Sequence, residues 1–102
     1  MVAIEHWNNS FGELSEKAMR KKLESEGYSV NTYHYPPGTY FPNHTHGYDK
    51  KDGVLKGKFL IKAAGQEFLL QAGDILPVPA GLVHSAEVIG NETVISLDAS
   101  KW

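Results

Sequence analysis

From Gly27 onwards the sequence consists of short extended runs separated by turns that contain glycine or proline. Runs of this length with turn signals between them are typical of antiparallel β-domains. A chain of 102 residues has room for one such domain with a thin core. We therefore predict an all-β fold, an antiparallel jelly-roll barrel, with strands at residues 28–35, 53–63, 67–71, 75–78, 85–89 and 93–98.

One segment, residues 13–27, has a helical pattern instead. Its apolar side chains recur every three to five residues, which places them on one side of a helix. Ser15 can cap the first turn, and Gly27 can supply the left-handed residue after the last one. We predict one short α-helix inside an N-terminal extension, residues 1–27, followed by the β-domain at residues 28–102.

The composition excludes several kinds of site and partner. The chain has no cysteine, so any metal must bind to nitrogen or oxygen atoms. Ten Lys and Arg against twelve Asp and Glu give a net charge of −2, which is too balanced for a surface that binds nucleic acid or an anionic membrane. The chain has neither a secretion-signal pattern at its start nor a membrane-spanning apolar run. We therefore expect a cytoplasmic protein.

Three of the five histidines, His44, His46 and His84, lie in two segments that carry glycine and proline. Side chains two residues apart on an extended strand project from the same face, so His44 and His46 can converge on one ion, and His84 can complete the set. Imidazole nitrogens bind several divalent transition metals, and three of them leave positions open. We expect His6 to be exposed and His34 to be half-buried, with neither binding metal.

These two segments resemble the two motifs of the cupin superfamily, G-x5-H-x-H-x3,4-E-x6-G and G-x5-P-x-G-x2-H-x3-N. The resemblance covers residues 28–98. It implies a small single-domain cupin, a double-stranded β-helix barrel with a divalent metal (Fe, Mn, Ni, Zn, Co or Cu) on the three histidines. The positions that agree with the motifs are Gly38, His44, His46, Gly57, Gly73, Pro79, Gly81 and His84.

Two motif positions differ, because Lys50 stands in the glutamate position and Val88 in the final asparagine position. A protonated lysine cannot bind a cation, so we expect Lys50 to turn away and water to complete a three-histidine site. Two alternatives stay open for a fourth ligand, or for a carboxylate that contacts the ligands without binding the metal. A one-residue register change would turn Asp49 inwards, and Asp52 shares the parity of Lys50. Tyr48 and Lys50 are the candidates for polar groups that line the cavity.

The resemblance also bears on function, because cupins with three histidines and no glutamate include Fe(II) dioxygenases for thiols and β-diketones. We expect a cupin that presents its metal to a small organic molecule, with dioxygenase-type catalysis as its candidate activity. The alternative is a non-catalytic module that binds or senses a small molecule. Small cupin barrels commonly pair, and a thin core gains from a covered edge, so we also expect a homodimer.

Overall fold

The protein is described here by a computed structural model that covers residues 2–102. Within these residues the chain forms one α-helix and nine strands, and a short 3-10 turn precedes the helix. The predicted architecture of antiparallel β-sheet with one N-terminal helix is confirmed. In chain order the elements are β1 (Glu5–His6), α1 (Glu16–Ser25), β2 (Ser29–Tyr35), β3 (Tyr40–His44), β4 (Asp49–Lys56), β5 (Lys58–Ala63), β6 (Gln66–Leu70), β7 (Asp74–Val78), β8 (His84–Ile89) and β9 (Val94–Lys101).

The strands form two antiparallel sheets. One has the order β1-β7-β4-β9-β2, and the other has the order β3-β8-β5-β6. The expected barrel is not closed, because every strand pair of the described residues lies inside one sheet and none joins the two. The predicted single strand at residues 53–63 is divided into β4 and β5 by Gly57, whose φ of +84° suits glycine. β3 was absent from the predicted strands.

The main core lies between the two sheets, where alternate side chains of each sheet face one another. On β4, Val54 points into this core, and its neighbour Gly53 points to the outside of the sheet. The buried side chains of this core are Val54, Phe59, Ile61, Ala63, Phe68, Leu70, Leu76, Val78, Ala86, Val88 and Val94.

The helix begins and ends as the sequence predicts. Ser15 Oγ accepts a hydrogen bond of 3.0 Å from the backbone N–H of Ala18, which caps the first turn. Gly27 follows the last turn with a φ of +94°, and its N–H donates to the carbonyl of Glu24 at 3.0 Å. Among residues 2–102 no helix is both long enough and apolar enough to cross a membrane.

The helix covers the outer face of the five-stranded sheet. Met19 and Leu23 are fully buried there against Ile75 and Leu97. A Cβ added at Gly53 would lie 2.6 Å from Met19 Sδ, so this glycine permits the close approach of helix and sheet. The helix and this sheet thus form a second, smaller core, and its close packing depends on Gly53 in the middle of β4.

An ion cluster, defined here as Lys51, Glu5, Glu26 and Lys22, lies on the same outer face. Lys51 Nζ is 3.1 Å from the carboxylate of Glu5 and 2.9 Å from that of Glu26. Lys22 bridges to both carboxylates from the helix. This outer ion cluster joins β1, β4 and the end of α1.

Candidate metal centre

The three predicted histidines meet in the four-stranded sheet and the loop that follows its edge strand. His44 ends β3 and His84 begins β8, and the two are direct partners in the antiparallel ladder. The register of this ladder shifts between Phe41 and His44, which marks an irregularity beside the site. His46 lies two residues beyond β3. Residues separated by about forty positions in the chain are thus placed side by side.

The three imidazole rings are close enough to share one ion. The ring centroids of His44 and His84 are 4.3 Å apart. The centroid of His46 lies 4.9 Å from that of His44 and 5.2 Å from that of His84. One ring nitrogen from each histidine lies within 4.8 Å of the others, and no carboxylate oxygen of the described residues joins this group. The arrangement matches a site of three nitrogen ligands.

Backbone carbonyls fix the tautomers of two of these rings. His44 Nδ1 is 2.7 Å from the carbonyl oxygen of Pro42, and His84 Nδ1 is 2.8 Å from that of Leu82. A carbonyl can only accept a hydrogen bond, so both Nδ1 atoms carry the proton and donate it. The lone pair of each ring is then on Nε2, as metal ligation requires.

His46 supplies the observation that tests whether a metal fits. Its Nε2 is buried and has no hydrogen-bond partner within residues 2–102. A buried polar atom without a partner is costly, and a bound cation would satisfy it. Burial lowers the pKa of His46 and of His84, so both rings are neutral at pH 7 and can act as ligands. The residues present therefore fit a divalent transition metal.

Asp49 lies outside the cavity, on the loop side of the site. The register of β4 with β7 is continuous from Lys50 to Gly53, so the change that would turn Asp49 inwards does not occur. Its Oδ1 instead accepts a hydrogen bond of 2.9 Å from the backbone N–H of Ala80. The N–H of Gly81 donates to the carbonyl of His46 at 2.9 Å. These two bonds hold the turn that leads to His84.

Lys50 lies in the cavity wall, and the expectation that it turns away is wrong. Its Nζ is 2.9 Å from Asp98 Oδ1 and 3.3 Å from Asp52 Oδ1. Asp52 and Asp98 are direct partners across β4 and β9, where two like charges would repel each other. The ammonium between them offsets that repulsion, which explains why a buried lysine is tolerated here. Asp52 binds Lys50 and does not join the histidine group.

The ionisation of this inner triad, defined as Lys50, Asp52 and Asp98, follows from burial and charge. Burial by itself would lower the pKa of Lys50, but Asp52 and Asp98 outweigh it and raise that pKa. Lys50 therefore stays protonated and cannot act as a nucleophile. Burial raises the pKa of Asp52, and Asp98 adds to the effect.

The histidines and the inner triad line one open cavity of about 180 Å³. Of the two candidates for its wall, Lys50 lines it, and Tyr48 lies outside it with its ring 5.3 Å from that of His46. Asp98 belongs to no motif of the sequence, and it lies opposite Asp52 only because of the register of β9 with β4. The full lining is Tyr35, Phe41, His44, His46, Lys50, Asp52, Phe59, His84, Ala86, Ser96 and Asp98.

The other two histidines lie away from this cavity. His6 is exposed, as predicted, and its Nδ1 is 2.7 Å from Asp74 Oδ1. His34 is also exposed, so the prediction of a half-buried ring is wrong. The hydrogen bonds from α1 to this face of β2 reach no further than Thr32, which leaves His34 uncovered.

Comparison with known proteins identifies relatives of this arrangement. The family model described as a cupin domain matches residues 31–100. Acireductone dioxygenase from Bacillus anthracis, with a cadmium ion in its active centre, superposes with a TM-score of 0.77 at 16% identity, covering 99% of this chain and 78% of that one. At this identity the likeness concerns the fold alone.

Two further structures have higher identity over shorter lengths. An uncharacterised conserved protein with a double-stranded β-helix domain from Klebsiella pneumoniae has 28% identity and a TM-score of 0.62, covering 72% of this chain and 66% of that one. An oxalate decarboxylase has 26% identity and a TM-score of 0.65, covering 72% of this chain and 21% of that one. This chain spans 63% and 52% of two other matched structures. No curated protein sequence matches it.

Proposed function

Because this chain belongs to the cupin domain family, we propose that it holds a divalent transition metal on His44, His46 and His84 and presents it to a small organic molecule in the adjoining cavity. The observation that carries the proposal is the convergence of three ring nitrogens within 4.8 Å. The buried Nε2 of His46, which lacks a hydrogen-bond partner among residues 2–102, supports it.

We propose an oxygen-dependent oxidation, of the dioxygenase type, as the reaction. The ion, when bound, would act as a Lewis acid or activate dioxygen. The chain's own residues contribute the binding site. Phe41, Phe59 and Ala86 give the cavity an apolar side, and Lys50 and Ser96 give it a polar one. Burial raises the pKa of Tyr35 to about 12, so its phenol stays protonated at the cavity wall.

The first experiment is elemental analysis of protein purified without chelator or immobilised metal. We expect close to one transition-metal ion per chain. Oxygen uptake should then be measured with a panel of thiols and β-diketones. Metal-free protein that cannot be loaded with zinc, iron, nickel, cobalt, manganese or copper would contradict the proposed site. Saturable binding of a small molecule without oxygen uptake would favour the non-catalytic alternative.

Two structural features belong to the same proposal. We propose that the two facing sheets are the halves of a double-stranded β-helix, as in the 28% identical protein from Klebsiella pneumoniae. We also propose a homodimer, supported by the exposed aromatic rings of Tyr33, Tyr40 and Trp102. Sedimentation equilibrium at micromolar concentration tests the dimer, and a monomer throughout that range would contradict it.

A further inference from the structure

The inner triad has no assigned role in the proposed function, although it shares one cavity with the histidines. Lys50, Asp52 and Asp98 all line that cavity. An ammonium group has three N–H donors, and Asp98 and Asp52 accept from two of them. One donor of Lys50 therefore remains for a molecule in the cavity. A buried ammonium with a free donor is a strong partner for an anionic oxygen.

The charge of the site points in the same direction. An imidazole that binds a metal ion does so as a neutral ligand, and the triad contains one ammonium and two carboxyl groups. With a divalent ion on the histidines, the cavity would carry a net charge of at least plus one, whether or not Asp52 is ionised. A positive net charge in a cleft favours an anionic ligand over a neutral one of the same shape.

The size and the wall of the cavity limit the ligand further. About 180 Å³ corresponds to the volume of about six water molecules. This volume suits a small organic acid. The rings of Phe41 and Phe59 would contact its carbon skeleton on the side away from the charges.

We propose that Lys50 is a specificity-determining residue that selects small organic anions, through a hydrogen bond from its ammonium to a carboxylate or enolate oxygen of the ligand. Asp52 and Asp98 are the positioning residues that hold this ammonium in the cavity wall. The inference rests on the proposed metal centre, because the ion supplies the positive charge that the two aspartates otherwise outweigh.

The test compares a charged probe with its uncharged analogue, pyruvate and pyruvamide. Binding of each probe to zinc-loaded protein is measured by isothermal titration calorimetry, since zinc supports binding without redox turnover. We expect pyruvate to bind the wild type about tenfold more tightly than pyruvamide, or better. Lys50→Met should remove most of that difference, and Lys51→Met, on the outer face of the same strand, should leave it unchanged.

Lys50→Met leaves the buried Asp52 and the half-buried Asp98 without a cation and can fail to fold, so a second variant is needed. The double variant Lys50→Gln with Asp98→Asn removes one positive and one negative charge and keeps polar side chains. It should bind zinc like the wild type and show the same loss of preference for pyruvate.

Each result separates this inference from the proposed metal centre. Zinc binding with equal affinity for the two probes in the wild type would overturn the role of Lys50 and leave the metal site intact. An equal loss for both probes in the double variant would show that Lys50 has only a structural role, and would also overturn it. Failure of the wild type to bind zinc would overturn the metal centre and this inference together.

Discussion

Lys50 and Lys51 are neighbours on β4, but their ammonium groups lie on opposite faces of one sheet and have different surroundings. Lys50 is buried between Asp52 and Asp98 at the wall of the cavity. Lys51 lies in the outer ion cluster with Glu5 and Glu26, whose side chains remain 40% and 32% exposed. Both lysines pair with two carboxylates and are themselves mostly covered, so the difference lies in the partners, since Asp52 and Asp98 are 10% and 26% exposed.

Burial decides what each group can contribute. The outer ion cluster is partly hydrated, so each of its pairs is screened and adds little to stability. The inner triad is less hydrated, so Lys50 and the buried Asp52 depend on each other and on Asp98, and their charges act more strongly on a molecule in the cavity. The outer ion cluster thus contributes little to stability, whereas the inner triad affects both stability and the chemistry of a bound ligand. Four predictions test this division.

The largest effect should come from comparing a histidine of the cavity with a histidine that lies away from it. His84→Ala removes a proposed ligand in the cavity wall. We expect metal affinity to fall by at least about a hundredfold, since loss of a residue that only hydrogen-bonds to a ligand already costs about 10–100-fold. His6→Ala removes a ring on the other sheet that pairs with Asp74, and should leave metal affinity unchanged. Zinc titration of both variants checks this. Full occupancy in His84→Ala would contradict the three-histidine site.

The second prediction compares the two lysines by stability. Lys50→Met leaves the buried Asp52 and the half-buried Asp98 without their cation, which should cost about 3 kcal/mol in the free energy of unfolding. Lys51→Met leaves the partly exposed Glu5 and Glu26, and should cost about 1 kcal/mol or less. Urea denaturation of the metal-free proteins measures both. Equal losses would show that burial does not separate the two clusters.

The third prediction concerns charge reversal at the same two positions. Lys50 faces the cavity that the histidines line, so Lys50→Glu places a carboxylate there and should tighten zinc binding by about tenfold. It also gathers three carboxylates, so the melting temperature of the metal-free protein should fall. Lys51→Glu, the matched control, should lower the melting temperature and leave zinc affinity unchanged. Weaker zinc binding by Lys50→Glu would contradict the placement of Lys50 beside the site.

The smallest effect should appear in the titration of one carboxyl group from each cluster. Burial raises the pKa of Asp52 above its ordinary value of 3.8. Burial acts in the same direction on Glu26, but hydrogen bonds from Lys22 and Lys51 outweigh it and lower the pKa of Glu26 below 4.5.

These two shifts have opposite consequences for stability. The contribution of Glu26 is present above pH 4.5 and is lost as the pH falls through its folded-state pKa. That of Asp52 is present below pH 3.8 and is lost as the pH rises through its folded-state pKa. Carboxyl ¹³C chemical shifts from NMR titration measure both groups. A pKa of Glu26 that is higher than the pKa of Asp52 would contradict the predicted difference between the two clusters.

Local patterns in the sequence were sufficient for much of the fold. The cap at Ser15 and the end at Gly27 depend on neighbouring residues only, and both are as predicted. The strand boundaries were less accurate, because Gly57 sits inside a run that is extended on both sides and divides it into β4 and β5. The spacing of His44, His46 and His84 was enough to select the three side chains that the structure brings together.

The sequence by itself determined which residues alternate along each strand, and so which side chains share a face with the histidines. Only the tertiary structure decided that Asp98 of β9 stands opposite Asp52 of β4. That pairing keeps Lys50 in the cavity, where the sequence alone predicted that it would turn away. The reason is physical: the cost of burying a charge depends on the charges that surround it, and strand register, a property of the whole sheet, sets those neighbours.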